Sequence, residues 1–112
     1  MKGQDLKGHL DLLLLAVVAD GPAHGYAVIE RLKRRSDERF DLPEGTVYPA
    51  LHRLEKAGYL GSDWSVVDGR RRRTYELTAK GLESLAERRR GWQEFSGAVT
   101  SVLGGTPWTA TT

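Results

Sequence analysis

The side chains best suited by type to do chemistry in this sequence are cations and hydroxyls. Arg70, Arg71, Arg72 and Arg73 form one run, and Arg88, Arg89 and Arg90 form another. Thr46, Tyr48, Pro49, His52, Arg53 and Lys56 all fall within the stretch GTVYPALHRLEKAGYL. Guanidinium groups bond phosphate oxygens and pair bidentately with the O6 and N7 edge of guanine, and hydroxyls reach phosphates or bases. A proline ring offers an apolar surface to a thymine methyl. This chemistry is recognition of a nucleic acid, and nothing beside it suggests catalysis. The sequence has no cysteine nucleophile, no Gly-rich phosphate loop, no paired acid and base and no G-x-S-x-G turn. No enzyme activity is expected. His9, His24 and His52 lack metal-ligand spacing, so neither a metal nor a cofactor is expected.

A net charge of +2 hides this local concentration, and clusters matter more than the sum when the partner is a polyanion. With 112 residues the chain makes one domain with a modest core, which oligomerisation would help to stabilise. The absence of cysteine excludes a disulfide scaffold and fits a reducing, cytoplasmic setting. The apolar run over 12–19 is far shorter than the roughly 18 residues of a membrane span. Asp11 and Asp20 bracket it and no small-residue cleavage site follows, so no signal peptide is read there.

The elements that must position the basic residues follow from periodicity and turn chemistry. A first helix is read over 6–19 with Asp5 as N-cap. Leu6, Leu10, Leu13, Leu14 and Val17 make one face of it, while Leu12, Leu15 and Val18 make the other apolar too. Such a helix is buried on more than one side, and one side is assigned to a partner chain. The stretch ADGPAHGY reads as a turn. A second helix spans 24–36 with Val28, Ile29 and Leu32 inward, and 36–43 is a polar connection. A third helix spans 44–57, with Val47, Leu51 and Leu54 on one face and Gly58 ending it. Trp64, Val66 and Val67, then Thr74, Tyr75 and Leu77, flank Asp68-Gly69, a strong hairpin signal. The turn is read as extending into the arginines. A last helix spans 79–103, roughly 37 Å long at 1.5 Å per residue. Leu85, Trp92 and Val99 recur at seven-residue spacing, with Phe95 and Val102 as companions. That seam lies beyond the compact unit and suits a second chain. The residues from 104 to 112 read as a disordered tail.

Three helices, a two-stranded hairpin and a basic hairpin tip describe an α+β, mostly α fold: a winged helix-turn-helix over 1–78 with a long C-terminal dimerisation helix over 79–103. In such folds the second helix of the turn unit enters the major groove and the wing lies along the backbone. The segments HGYAVIERL, LPEGTVYPALHRLEKAGYL and GRRRRTYELTAKG resemble the PadR family of transcriptional regulators. The likeness runs over nearly the whole chain, and the single C-terminal helix is similar to the short PadR subfamily. The resemblance implies a homodimeric repressor on a pseudo-palindromic operator that releases double-stranded DNA when a small molecule binds. In the multidrug-sensing branch a tryptophan of the last helix lines an aromatic pocket at the dimer centre, and Trp92 stands at the matching place. Two departures bear on the operator: Pro43-Glu44 stands where the family often has serine then proline, and the wing carries four arginines.

The expected DNA contacts are Thr46, Tyr48, Pro49, His52 and Arg53, with Arg70, Arg71, Arg72 and Arg73 on the wing. With Thr46 as N-cap, Pro49 falls at the third helical position and costs little. Arg53 is the expected guanine reader; its plain alternative is a solvated charge or a partner of Glu55. The expected effector site is Trp92, Phe95, Asp11 and Val99, a carboxylate there favouring cationic aromatic compounds, and Trp92 reads equally as a dimer-core aromatic. Leu6, Leu10, Leu85, Trp92, Val99 and Val102 are the expected dimerisation residues. A winged-helix adaptor and a ligand-independent architectural DNA binder are the rival readings.

Overall fold

The computed structural model describes residues 8–104. Asp5, Leu6 and the expected tail from 105 onward lie outside the described residues. The chain runs α1 (Leu10–Val18), β1 (Ala23–His24), α2 (Gly25–Arg35), α3 (Glu44–Lys56), β2 (Leu60–Val67), β3 (Arg70–Leu77) and α4 (Ala79–Leu103). The fold is mixed, mostly helical, with a small three-stranded sheet ordered β1-β3-β2. The sequence pattern had suggested only a hairpin. β1 is two residues long, pairing Ala23 with Tyr75 and His24 with Thr74, too short to leave an alternating signature.

α1 begins later than its apolar run implies. Gly8 has φ +93°, which no helix accommodates, and His9 occupies the N-cap. Leu14, Leu15, Val17 and Val18 are buried, and Leu10, Leu12, Leu13 and Ala16 pack around the same core. The helix packs against α2, α3, α4 and β3. Much of its apolar surface is therefore covered by its own chain, while Leu10, Leu12 and Leu13 stay partly exposed.

The helix-turn-helix pair, α2 and α3, buries Val28, Ile29 and Leu32 against Val47, Leu51 and Leu54. Each such aliphatic side chain contributes roughly 1.5–3 kcal/mol by leaving water. The polar connection between the helices is not wholly polar in use, because Leu42 drops into the core and Phe40 packs on it. Arg31 ties α2 to the turn before it, donating to the carbonyls of Gly21 at 2.8 Å and Pro22 at 3.2 Å.

α3 starts three residues earlier than Thr46 capping requires, at Glu44 rather than Val47. Pro43 is the N-cap and makes no side-chain cap bond, so Thr46 is inside the helix and Pro49 is an interior residue. Pro49 has no N–H to offer the carbonyl of Gly45, one turn back. Gly45 is exposed and nothing lies within 4 Å of where its Cβ would be. Gly58, at φ +89°, closes the helix.

The hairpin turn is confined to Asp68-Gly69, at φ 53° and 77°. That is the two-residue turn with positive φ at both central positions. Val67 pairs with Arg70, so all four arginines stand in β3 and none in the loop. Thr78 caps α4 by accepting from the Gly81 amide at 3.0 Å, and Gly104 ends it in the left-handed region at φ +101°. α4 is buried only at Gly81 and Leu85. Its remaining length carries exposed Leu82, Trp92, Phe95, Val99, Val102 and Leu103. Leu85, at 3% exposure, belongs to the chain's own core and so drops out of the expected dimer seam. Among the described residues, no helix is long and apolar enough to cross a membrane.

Candidate nucleic-acid interface

α3 presents one apolar face inward and one polar face outward. Val47, Ala50, Leu51 and Leu54 are buried, whereas Pro49, His52, Arg53 and Lys56 are exposed and Thr46 and Tyr48 half-buried. The wing stands beside that outward face. Between them lies a cleft of about 300 Å³. His24, Tyr26, Tyr48, His52, Trp64 and the three arginines 71, 72 and 73 are among the residues that line it.

The arginines are not equivalent. Arg70 and Arg71 are exposed near the turn, and the Arg71 guanidinium lies 4.9 Å from the centre of the Trp64 ring. Arg73 lies over the same ring at 5.7 Å and donates to Glu55 of α3 at 3.3 Å. Ser62 Oγ donates to the same carboxylate. This Ser62 bond, with Arg73 behind it, holds Glu55 below the usual carboxylate range. Glu55 is thus the brace between α3 and the wing, and Arg73 is its cation. Arg72 is half-buried at the cleft.

Tyr48 fixes the inner wall. A Cβ on Gly25 would stand 2.1 Å from Tyr48 Cε1, so the glycine is what lets the ring lie against α2. Burial, with Glu44 behind it, pushes the Tyr48 phenol above its ordinary range, which keeps its proton available for donation. The partner of Arg53 is Asp11 on α1, not Glu55: both terminal nitrogens bond both carboxylate oxygens at 2.8 Å. Arg88 of α4 lies 3.8 Å from the same carboxylate. Hydrogen bonding from Arg53 outweighs burial and holds Asp11 below the usual carboxylate range.

Asp11 is therefore spent on two arginines and does not line the space beside Trp92, which removes the basis for preferring a cationic effector. That space, about 220 Å³, is lined by Gly8, His9, Leu12, Arg88, Gly91, Trp92 and Phe95. His9 meets Trp92 edge-on with ring centres 5.3 Å apart, and Phe95 follows at 6.1 Å. Val99 is not among the residues lining it. The structure thus brings Trp92 and Phe95 together at this space, whose lining does not include Asp11 or Val99.

Sequence reasoning missed Trp64, His24, Tyr26 and Tyr75 as cleft residues. For Trp64 a signal existed: a two-residue Asp-Gly turn sets the register and puts residue 64 opposite Arg73. For the Asp11–Arg53 pair, 42 residues apart in sequence, there was none.

His24 gives a pH dependence with a definite sign. Its Nδ1 accepts from the Ala27 amide at 3.3 Å as the N-cap of α2, which only the neutral ring can do. Burial, with Arg72 behind it, lowers its pKa from the ordinary 6.5. The unfolded chain then binds more protons, so this contribution to stability is complete above about pH 6.5 and is lost as pH falls toward the lower folded value. Urea melts between pH 7.5 and 5 are expected to show the loss. His24→Asn, which caps without titrating, is expected to flatten it; an unchanged profile in that variant would refute the assignment.

The profile of the Transcriptional regulator PadR-like family matches residues 14–87. The transcriptional regulator Rv3488 of Mycobacterium tuberculosis is 41% identical over 99 residues, spanning 88% of this chain and 87% of that protein. The crystal structure of a PadR-like transcriptional regulator from Bacillus cereus superposes with a TM-score of 0.79 at 30% identity, over 93% of this chain and 100% of that one. A transcriptional regulator from Clostridium thermocellum gives 0.80 at 25% identity, over 88% and 97%. Sequence and winged-helix architecture agree, and the chain belongs to the PadR-like family of transcriptional regulators.

Proposed function

We propose that the protein is a homodimeric, ligand-responsive repressor that places α3 of each copy in a major groove and lays the β2–β3 wing on the flanking backbone. The observation that carries this reading is the convergence of Tyr48 and His52 on α3 with Arg71 and Arg72 on β3 around one cleft, with exposed Pro49 and Arg70 next to them in sequence. Thr46 and Arg53 extend the α3 surface, and Arg73 braces it. A two-fold dimer matches a pseudo-palindromic operator whose half-sites lie one helical turn or more apart.

The second copy packs along α4, where Trp92, Val99 and Val102 remain exposed, and partly buried Leu10 of α1 adds to the same interface in this reading. This division makes the winged helix through residue 78 the DNA-binding unit and the helix 79–103 the dimerisation element. The protein is, on this reading, of the short, multidrug-sensing type and works in the cytoplasm. Trp92 and Phe95 supply the flat apolar walls of an effector site that the partner copy completes, and a planar aromatic compound fits between two such walls. The effector acts only by preferring one spacing of the two recognition helices over another.

The test combines sedimentation equilibrium with tryptophan emission. A mass twice that of the chain is expected, with quenching by planar aromatic compounds that also release DNA. Trp92→Ala is expected to abolish that quenching and release, while Trp64 and Trp108 continue to emit. A monomer at micromolar concentration, or a Trp92→Ala variant that still responds, would refute this reading.

A further inference from the structure

Arg53 projects from the exposed side of α3, yet each of its terminal nitrogens already donates an N–H to a carboxylate. Nη1 donates to Asp11 Oδ2 and Nη2 to Asp11 Oδ1, each at 2.8 Å. This is the fork geometry a guanidinium also uses on the O6 and N7 edge of guanine. The same pair of nitrogens serves the carboxylate or the base, one at a time. The Arg53 side chain is 58% exposed and that of Asp11 only 19%. The cation can therefore swing into solvent, whereas the carboxylate cannot follow it.

A half-buried carboxylate does not lose its countercharge cheaply. A second cation already stands by: Arg88 Nη1 lies 3.8 Å from Asp11 Oδ2. Arg88 is steadied on α4 by its Nε, which donates to Ser84 Oγ at 3.0 Å. It also lines the space beside Trp92. One carboxylate thus joins the recognition helix to the helix that carries the aromatic cavity.

Resting on the reading that α3 enters the groove, we propose that Asp11 is a specificity-determining residue. It competes with DNA for the Arg53 guanidinium, and Arg88 keeps the carboxylate compensated when Arg53 turns to a base. Neither Asp11 nor Arg88 touches DNA in this scheme; each acts through Arg53.

The test reads one ratio on the full chain, the Kd for a scrambled duplex over the Kd for the duplex that the protein selects from a random pool. Asp11→Asn raises that ratio roughly three- to fivefold, the scale of one partly exposed ion pair. Arg88→Met lowers it by a similar factor, because the carboxylate then holds Arg53 harder. Both shifts vanish in an Arg53→Met background. Thermal melts establish that each variant folds, and Asp11→Ser replaces Asp11→Asn if the amide unsettles α1. Equal shifts on both duplexes would identify an effect of net charge and overturn the proposal. A fall in the ratio with Asp11→Asn would also overturn it, since Asp11 would then hold Arg53 in its binding pose. A wild-type chain that selects no duplex at any salt would refute the groove reading itself, and the proposal with it.

Discussion

Replacing Arg70 and Arg71 together with alanine is expected to weaken duplex binding by on the order of a hundredfold near 0.1 M salt, about tenfold for each released phosphate contact. The plot of log K against log salt should flatten by about two units, because each neutralised phosphate contributes roughly 0.9 to the slope. The two residues are suited to the test because both are exposed and neither is braced to α3. Arg71 lies on the Trp64 face, which limits its rotamers and so the entropy lost on contact. Arg73→Ala is not an equivalent experiment. It strips the cation from Glu55 and leaves an uncompensated carboxylate between helix and wing. Its loss of affinity would mix a lost contact with a misplaced recognition helix. An unchanged salt slope in the Arg70/Arg71 double variant would contradict a wing that touches DNA.

Gly81→Ala is expected to cost about 2–4 kcal/mol of folding stability, among the larger effects of single substitutions. An added Cβ would stand 2.0 Å from the carbonyl oxygen of Tyr59 and 2.9 Å from its carbon, with Leu77 Cδ1 at 3.0 Å. The first obstacle is backbone, so no rotamer change relieves it. That carbonyl also accepts from the Thr78 amide at 3.2 Å, and Thr78 caps α4. Moving it loosens the point where α3 ends, β2 begins and α4 starts. Around the same junction Lys80 Nζ donates to Ala57 O and Thr78 Oγ1 to Gly58 O, each at 2.7 Å. A drop in Tm of roughly 10–25 °C is expected for a domain of this size. A variant melting within a few degrees of wild type would contradict the close approach of α4 to the wing base.

Local signals in the sequence were strong wherever a single element settled the question. Val28, Ile29 and Leu32, and again Val47, Leu51 and Leu54, place the two helices and their buried faces. Asp68-Gly69 fixes the hairpin, and Gly58 ends α3 where a glycine past the last turn should. What stayed hidden depended on contacts across the fold. The apolar faces of α1 imply multiple burial but do not say whether the surrounding helices belong to one chain or two. Here α2, α3 and α4 supply much of the cover. Leu85 fits a heptad with Trp92 and Val99 on paper, yet it lies on the last stretch of α4 still against the core. Thr46 is the obvious capping residue, but α3 starts at Glu44, after a proline that caps nothing by side chain. The candidate interface was legible in its cations and illegible in their partners. Asp11 with Arg53 and Glu55 with Arg73 arise only once three elements have packed.

The placement of α3 and the wing on DNA is tested most directly by fluorescence anisotropy of a labelled duplex from upstream of the protein's own gene, with a scrambled duplex beside it, over several salt concentrations. Tight binding that falls steeply with salt and clearly prefers the upstream duplex is the predicted result. Absence of binding to either duplex, even at low salt, would contradict it and turn the basic face toward a protein partner.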